Sequence, residues 1–168
     1  MKIEVISVSE AITEEDILQV VNLADEIWRA HYIPILGESQ VKYMLEKFQS
    51  KEAVKNQITD GQKYFLIYYE KYPAGYFSYI VYDTKIFLSK LYILKKFRRR
   101  GIAENIINGL FKNAVNDDKN LIYLYVNKRN LGSIAFYENM GFRREKEIIN
   151  EFGGGFTGDD YLMEKKLK

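Results

Sequence analysis

The sequence contains no cysteine, which excludes disulfides, thiolate metal sites and a cysteine nucleophile together. Its single histidine, His31, cannot anchor a metal site alone, and no other ligand type clusters near it, so we expect no metal. No stretch approaches the roughly 20 apolar residues of a membrane-spanning helix, and the N-terminus lacks the apolar run of a signal peptide. These absences predict a soluble, cytoplasmic protein without a membrane partner.

The composition is that of one domain with a well-filled core. A length of 168 residues falls within the usual size of a single domain, and two prolines and no low-complexity stretch leave no sign of a boundary. We therefore predict one domain over residues 1–168. A hydrophobic fraction of 47% and an aromatic fraction of 15% favour a packed core over disorder. The net charge of +2 is too small to indicate a polyanionic partner, so a nucleic-acid interpretation would depend on local clustering.

The N-terminal half predicts a strand, two helices and an antiparallel meander. Residues 2–8 alternate as in a strand, and Thr13, followed by three acidic residues, is a predicted N-cap. The helix that follows is predicted to end at Pro34, and a second helix to run over residues 38–59 and close at Gly61. The three strands of the meander are predicted over residues 63–69, 75–82 and 85–94.

The C-terminal half alternates helices with strands. Helices are predicted over residues 101–115 and 130–140, a buried strand over 121–126, and two final strands over 142–149 and 161–167 around the loop Gly153-Gly154-Gly155. That loop is either a plain flexible turn or a loop that moves over a substrate, and the two interpretations stand level. The order of elements predicts an α/β (α+β) fold with a mixed sheet of about seven strands and about four helices.

The most informative stretch is cationic and joins a predicted strand to a predicted helix. Five of the six residues from Lys95 to Arg100 are basic, and Gly101 follows them. Positive side chains at a helix N-terminus are unfavourable unless an anion binds the free backbone N–H groups there. Gly101 allows a close approach of the chain to a ligand, and Ala103 keeps the first turn small. The pattern therefore predicts an anion cradle suited to a pyrophosphate.

Two alternatives compete with this interpretation. A basic run on its own is more often a solvated loop or a nucleic-acid patch, and only the strand-to-helix context with the glycine favours the cradle. No Walker sequence and no G-x-G-x-x-G fingerprint is present, which argues against a nucleoside triphosphate or a dinucleotide.

Two motifs together resemble the GNAT family of N-acetyltransferases. Arg98-Arg99-Arg100-Gly101-Ile102-Ala103 matches the family signature Q/R-x-x-G-x-G/A. The stretch from Asn130 through Ala135, Phe136 and Tyr137 to Gly141-Phe142 is similar to N-x-x-A-x-x-F-Y-x-x-x-G-F, with Ser133 in place of the usual alanine. The closing segment from Asp160 to Lys165 resembles the last strand of the family.

The resemblance implies a sheet whose fourth strand diverges from the fifth to admit acetyl-coenzyme A as cosubstrate. It implies direct transfer of the acetyl group to an amine in a ternary complex, without a metal. Arg98, Arg99, Arg100, Gly101, Ile102 and Ala103 would hold the pyrophosphate, and backbone groups of Ile93 and Lys95 would bind the pantetheine and pyrophosphate. Asn130 would cap its helix, hydrogen-bond the pantetheine arm, or do both.

Tyr137 has two interpretations. Taken alone, it is more simply one core aromatic among 14 tyrosines. In the family, the matching tyrosine lies at the coenzyme sulfur, where a hydroxyl of pKa near 10 can protonate the departing thiolate. The resemblance thus implies that Tyr137 is the general acid.

The general base is not evident. Many relatives carry a glutamate on the central strand, but Ser89 and Lys90 occupy the matching positions and residues 87–94 contain no carboxylate. Other sources of the base are a water chain or one of four side chains: Glu26, Glu38, Glu70 and Asp159. His31 is more simply a structural residue, although its segment would lie beside the acceptor in this family.

The resemblance leans towards bacterial small-amine or polyamine acetyltransferases. A protein N-terminal amine or an aminoglycoside stays open as the acceptor, as does a homodimer. Because the central strand lacks a carboxylate, a non-catalytic coenzyme A-binding sensor domain is an alternative function of a different class. A basic nucleic-acid module is a further rival, against which the near-neutral total charge argues.

Overall fold

The computed structural model describes residues 5–168, so residues 2–4 of the strand predicted over residues 2–8 lie outside the described residues. The described residues form seven strands and five α-helices. The strands are β1 (Ile6–Glu10), β2 (Lys63–Tyr69), β3 (Tyr72–Val81), β4 (Lys85–Ile93), β5 (Leu121–Asn127), β6 (Arg143–Gly153) and β7 (Phe156–Lys166). The helices are α1 (Glu14–Leu36), α2 (Glu38–Phe48), α3 (Lys51–Thr59), α4 (Ile102–Asn116) and α5 (Leu131–Asn139). The predicted mixed sheet is confirmed, with the strand order β1-β2-β3-β4-β5-β7-β6.

The chain folds into two compact units. The first takes the chain up to Ile80 together with Lys90–Ala103, and the second takes Val81–Ser89 and Glu104–Lys168. Strand β4 contributes residues to both. The single-domain organisation of residues 1–168 stays a prediction.

Helix α1 opens as predicted and ends later than predicted. Thr13 is its N-cap: the Thr13 hydroxyl accepts a hydrogen bond from the Asp16 amide, and the Asp16 carboxylate accepts from the Thr13 amide, which completes a capping box. The prediction that Pro34 ends the helix is wrong, because the helix continues to Leu36. Pro34 lies in the last turn, and the helix ends at Gly37, whose φ of 87° few other residues adopt.

The predicted helix over residues 38–59 is two helices, which raises the number of helices from about four to five. Ser50 separates them: its side chain accepts a hydrogen bond from the Ala53 amide and caps α3. The side chain of Gln49, the residue just before this cap, is buried in the first unit.

The core of the first unit lies between these helices and the strands β1, β2 and β3, which pair in antiparallel fashion. Strand β2 has the predicted bounds, and β3 begins earlier than predicted, at Tyr72. Gly75 permits a close approach to β4, since a Cβ atom there would lie 2.1 Å from the carbonyl oxygen of Tyr92. The β3 strand can therefore pack against the end of β4 only with glycine at this position.

In the second unit, β4 and β5 form a short parallel ladder in which Lys85 lies opposite Leu121 and Phe87 opposite Tyr123. Within this unit the ladder ends at Phe87, while β5 continues to Asn127 paired with β7. Strands β6 and β7 are longer than predicted and form a hairpin whose turn is the glycine run; Gly153, Gly154 and Gly155 all have positive φ.

Candidate active site

The cationic segment forms the junction between β4 and α4, as the sequence predicts. A short 3-10 turn, Lys95–Phe97, follows β4, and α4 begins at Ile102. Between them Arg99 and Gly101 have φ values of 61° and 74°, in the left-handed region. A Cβ atom on Gly101 would meet nothing within 4 Å, so the backbone conformation, and not space, favours glycine here. The first N–H groups of an α-helix have no partner within the helix, and those of α4 begin directly after this glycine.

The three arginines of the segment differ in their surroundings. The Arg98 guanidinium Nε donates to the carbonyl oxygen of Ile93 at 2.9 Å and so ties the segment back to β4. The Arg100 guanidinium lies over the Tyr69 ring at 5.2 Å from its centroid. Arg99 is exposed and makes no hydrogen bond or ion pair with the residues that the structure describes. The side chains of Arg98 and Arg100 therefore have structural contacts of their own.

Ile93 and Lys95 flank the start of this segment. The Ile93 side chain is buried, and its carbonyl accepts the bond from Arg98. The next amide, that of Leu94, donates to the carbonyl of Ala74 on β3 at 2.8 Å. Lys95 is exposed. The strand end that the resemblance assigns to pantetheine is thus held by β3 on one side and by Arg98 on the other.

Asn130 and Tyr137 lie in the second unit, at the start and the end of α5. Asn130 is buried and occupies the N-cap position, but its side chain makes no capping hydrogen bond, so the predicted cap is wrong in its side-chain part. Tyr137 is half-buried, with its ring 5.2 Å from that of Phe136 and 5.5 Å from that of Phe142. It is therefore not a fully buried core residue.

Lys90 occupies β4 where many relatives of the family carry a glutamate. Its ammonium lies 5.6 Å from the centroid of the Tyr64 ring. Burial lowers the pKa of Lys90 from its ordinary value of 10.5 to about 8. Lys90 is therefore far closer to losing its proton at neutral pH than an exposed lysine.

A buried chain of hydrogen bonds, which the sequence does not reveal, connects the helices of the first unit with β2 and β3. The Trp28 indole donates to the Tyr76 hydroxyl at 3.0 Å, and that hydroxyl donates to the Gln49 side-chain oxygen at 2.5 Å. The Gln49 amide donates to the Tyr64 hydroxyl at 3.1 Å, which in turn donates to Gln57. Burial raises the pKa of Tyr64 to about 12, so its hydroxyl keeps its proton at physiological pH and this hydrogen-bond network carries no charge.

Three of the carboxylates proposed as the base, Glu26, Glu38 and Glu70, are exposed. His31 is partly buried, with its ring edge-on to that of Tyr32 at 4.8 Å between centroids. The fourth carboxylate, Asp159, forms an ion pair of 2.8 Å with Lys128. None of these four carboxylates is desolvated by the fold.

The next residue, Asp160, is the buried carboxylate that the sequence analysis missed. It is only 7% exposed, and one of its oxygens, Oδ2, accepts a hydrogen bond of 2.6 Å from the Asn150 amide of β6. Burial raises the pKa of Asp160 above its ordinary value. The available signal was strand alternation, which places Asp159 and Asp160 on opposite faces of β7 and so buries only one of them.

Among residues 5–168, no group of three His, Asp or Glu side chains is arranged to hold a metal ion. None of the described helices is long and apolar enough to cross a membrane.

Comparison with known proteins gives the class of this chain. Residues 32–158 match the family described as acetyltransferase (GNAT) domain, so the chain belongs to the GNAT acetyltransferases. The family expected from the sequence is thereby confirmed, and the prediction of an acyltransferase that uses acetyl-coenzyme A is confirmed at the level of the family.

Individual relatives are more distant. An N-alpha-acetyltransferase of Saccharolobus solfataricus is 34% identical over 76 residues, which is 45% of this chain and 44% of that protein. The PaiA N-acetyltransferase of Thermoplasma acidophilum, solved in complex with coenzyme A, is 22% identical with a TM-score of 0.79 over 96% of this chain and 98% of that one. A ribosomal-protein alanine N-acetyltransferase of Escherichia coli is 15% identical with a TM-score of 0.73, covering 97% and 94%. The likeness to these two structures confirms the fold.

Proposed function

We propose that this protein is an acetyl-coenzyme A-dependent N-acetyltransferase that transfers the acetyl group directly to a primary amine. The observation that carries this proposal is the β4-to-α4 junction, where a GNAT signature coincides with two left-handed residues and the start of a helix. Open space over Gly101 fits a group that approaches the backbone closely. With no cysteine to hold an acetyl group, transfer without a covalent intermediate is the simplest path.

In this proposal the backbone of residues 98–103 binds the pyrophosphate of the coenzyme. Arg99 adds positive charge there, since Arg98 and Arg100 contact the Ile93 carbonyl and the Tyr69 ring. Ile93 and Lys95 contribute backbone groups to the pantetheine and pyrophosphate, and Arg98 supports them by holding the Ile93 carbonyl. Asn130, buried at the N-terminus of α5, steadies the pantetheine arm. Tyr137 protonates the departing thiolate, and its partial exposure fits a hydroxyl that meets a substrate.

We propose a small amine or polyamine as the acceptor. A second candidate is a protein N-terminal amine, which the similarity to the Saccharolobus solfataricus N-alpha-acetyltransferase favours. Because that match spans 44% of the relative, it supports the chemistry of an amine acceptor more than the choice of amine.

The experiment is a thiol-release assay with acetyl-coenzyme A and a panel of amines. Its arms are spermidine, a short peptide with a free N-terminus, the same peptide with a blocked N-terminus, and an aminoglycoside. We expect release with at least one primary amine and none with the blocked peptide lacking lysine. Tight coenzyme binding without release from any arm would favour a non-catalytic coenzyme A-binding domain instead.

A further inference from the structure

Asp160 lies beside the end of β5, close in the chain pairing to the turn that leads to Asn130. On β7 it is the register partner of Asn127, the last residue of β5. The carbonyl of Asn127 accepts a hydrogen bond of 2.9 Å from the amide of Asn130. The carboxylate is therefore one strand away from the turn that leads to Asn130, and all of these residues belong to the second unit.

The surroundings of Asp160 explain why it is a stronger base than an exposed carboxylate. Strand β6 presents Ile148 and Asn150 to it, and neither side chain titrates. A Cβ atom at Gly158 would lie 3.1 Å from its Oδ1 oxygen and 2.8 Å from the Phe152 ring, so glycine leaves room between ring and carboxylate. An apolar ring and a neutral amide do not balance a negative charge, and a buried carboxylate gains most from a cationic partner.

The charged groups near Asp160 already interact with one another. Lys128, after β5, forms ion pairs with Asp159 at 2.8 Å and with Glu147 at 3.2 Å. Burial is the largest cause of the shift and raises the pKa of Asp160. The hydrogen bond from Asn150 lowers that pKa, Asp159 raises it and Lys128 lowers it, and the net direction is upward. Among the described residues, Asn150 is the hydrogen-bonding partner of Asp160. Its side-chain amide donates to Oδ2, and Oδ1 accepts no hydrogen bond from these residues.

We propose that Asp160 is the catalytic base, and that its carboxylate binds the acceptor ammonium and takes one proton from it. This inference depends on the proposed function, and it supplies the carboxylate base that β4 lacks. The neutral amine nitrogen then forms a bond with the thioester carbonyl carbon, and the C–S bond breaks with its electron pair on sulfur. The nitrogen then loses a second proton, which replaces the one that Tyr137 gives to the thiolate, and keeps the third in the amide product. Asp160 later releases its proton to solvent.

The test is the pH profile of Asp160→Asn, measured by thiol release with the best amine of the panel. An asparagine can still accept the Asn150 hydrogen bond and carries no buried charge, so we expect a melting temperature at least as high as that of the wild type, and unchanged affinity for acetyl-coenzyme A. The maximal rate should fall by about 100-fold or more, the usual effect of losing a general base. The rate of the variant should rise about tenfold per pH unit towards the pKa of the acceptor, because only amine that is already neutral can react. Asp160→Glu should recover part of the rate.

Two controls and two outcomes complete the design. Asp118→Asn, at an exposed surface ion pair with Lys168, should leave the profile unchanged. A rate within about threefold of wild type for Asp160→Asn, or transfer of the effect to Asp159→Asn, would overturn the assignment and leave the proposed function intact. Absence of thiol release by the wild type with every amine would instead overturn the proposed function, and the assignment of Asp160 with it.

Discussion

Replacing Lys90 by methionine tests how strongly burial acts on a charge within the first unit. Methionine keeps a long unbranched side chain and removes the ammonium. A pKa lowered from 10.5 to about 8 corresponds to about 3 kcal/mol of destabilisation of the protonated form, an upper bound because Lys90 retains partial exposure. The loss of the contact with the Tyr64 ring offsets about 0.5 to 1 kcal/mol of this. We therefore expect Lys90→Met to stabilise the fold at pH 7 by roughly 1 to 2 kcal/mol.

The sign of the pH dependence follows from proton counting. Below pH 8 both states hold the proton on Lys90, and the folded state bears the full cost of burying it. Between pH 8 and 10.5 the unfolded state holds more protons, so the stability of the wild type rises with pH. The stability difference between Lys90→Met and the wild type should therefore shrink across this interval, by about 1 kcal/mol or more between pH 8 and 9.5.

Urea unfolding at pH 7, 8, 9 and 9.5 measures this difference. Comparing the two proteins at each pH cancels the ionisation of tyrosines and other lysines that they share. Lys112→Met, on an exposed site of α4, is the matched control and should show a difference that is constant with pH. A difference between Lys90→Met and wild type that is equally constant would refute the argument that burial depresses the pKa of Lys90.

Three further changes test the site. Gly101→Val should weaken acetyl-coenzyme A binding, measured by calorimetry, far more than Arg99→Ala, because a β-branched residue disfavours φ near 74°; equal losses would contradict a backbone cradle. Tyr137→Phe should lower the maximal rate by about 100-fold while coenzyme affinity and melting temperature hold, provided chemistry limits the rate; a change below about threefold would make Tyr137 an ordinary packing residue. Gly75→Ala should destabilise the first unit and weaken coenzyme binding together, since its methyl would collide with the Tyr92 carbonyl; a fully folded variant with wild-type binding would show that β3 and β4 can separate at no cost.

The family and most elements could be predicted from the sequence because their signals are local. The N-cap at Thr13 and the bounds of β2 follow from short patterns. The division of the second predicted helix was missed because the apolar spacing continues through it, whereas Ser50 as an N-cap is a signal of one residue. The predicted end of α1 at Pro34 was wrong because a proline in the last turn still allows the helix to continue to Leu36. Gly37 then ends the helix.

The sequence by itself determined the turn that precedes α4, because a glycine that follows three arginines and precedes a helix is a contiguous pattern whose conformation depends mainly on its own backbone. Only the tertiary structure decided which charges lose contact with water. Asp159 and Asp160 are identical side chains side by side, and the pairing of β7 with β5 and β6 exposes the first and buries the second. Lys90 likewise resembles any other lysine until packing brings it over Tyr64. Desolvation depends on neighbours that are remote in the chain, so no local pattern records it.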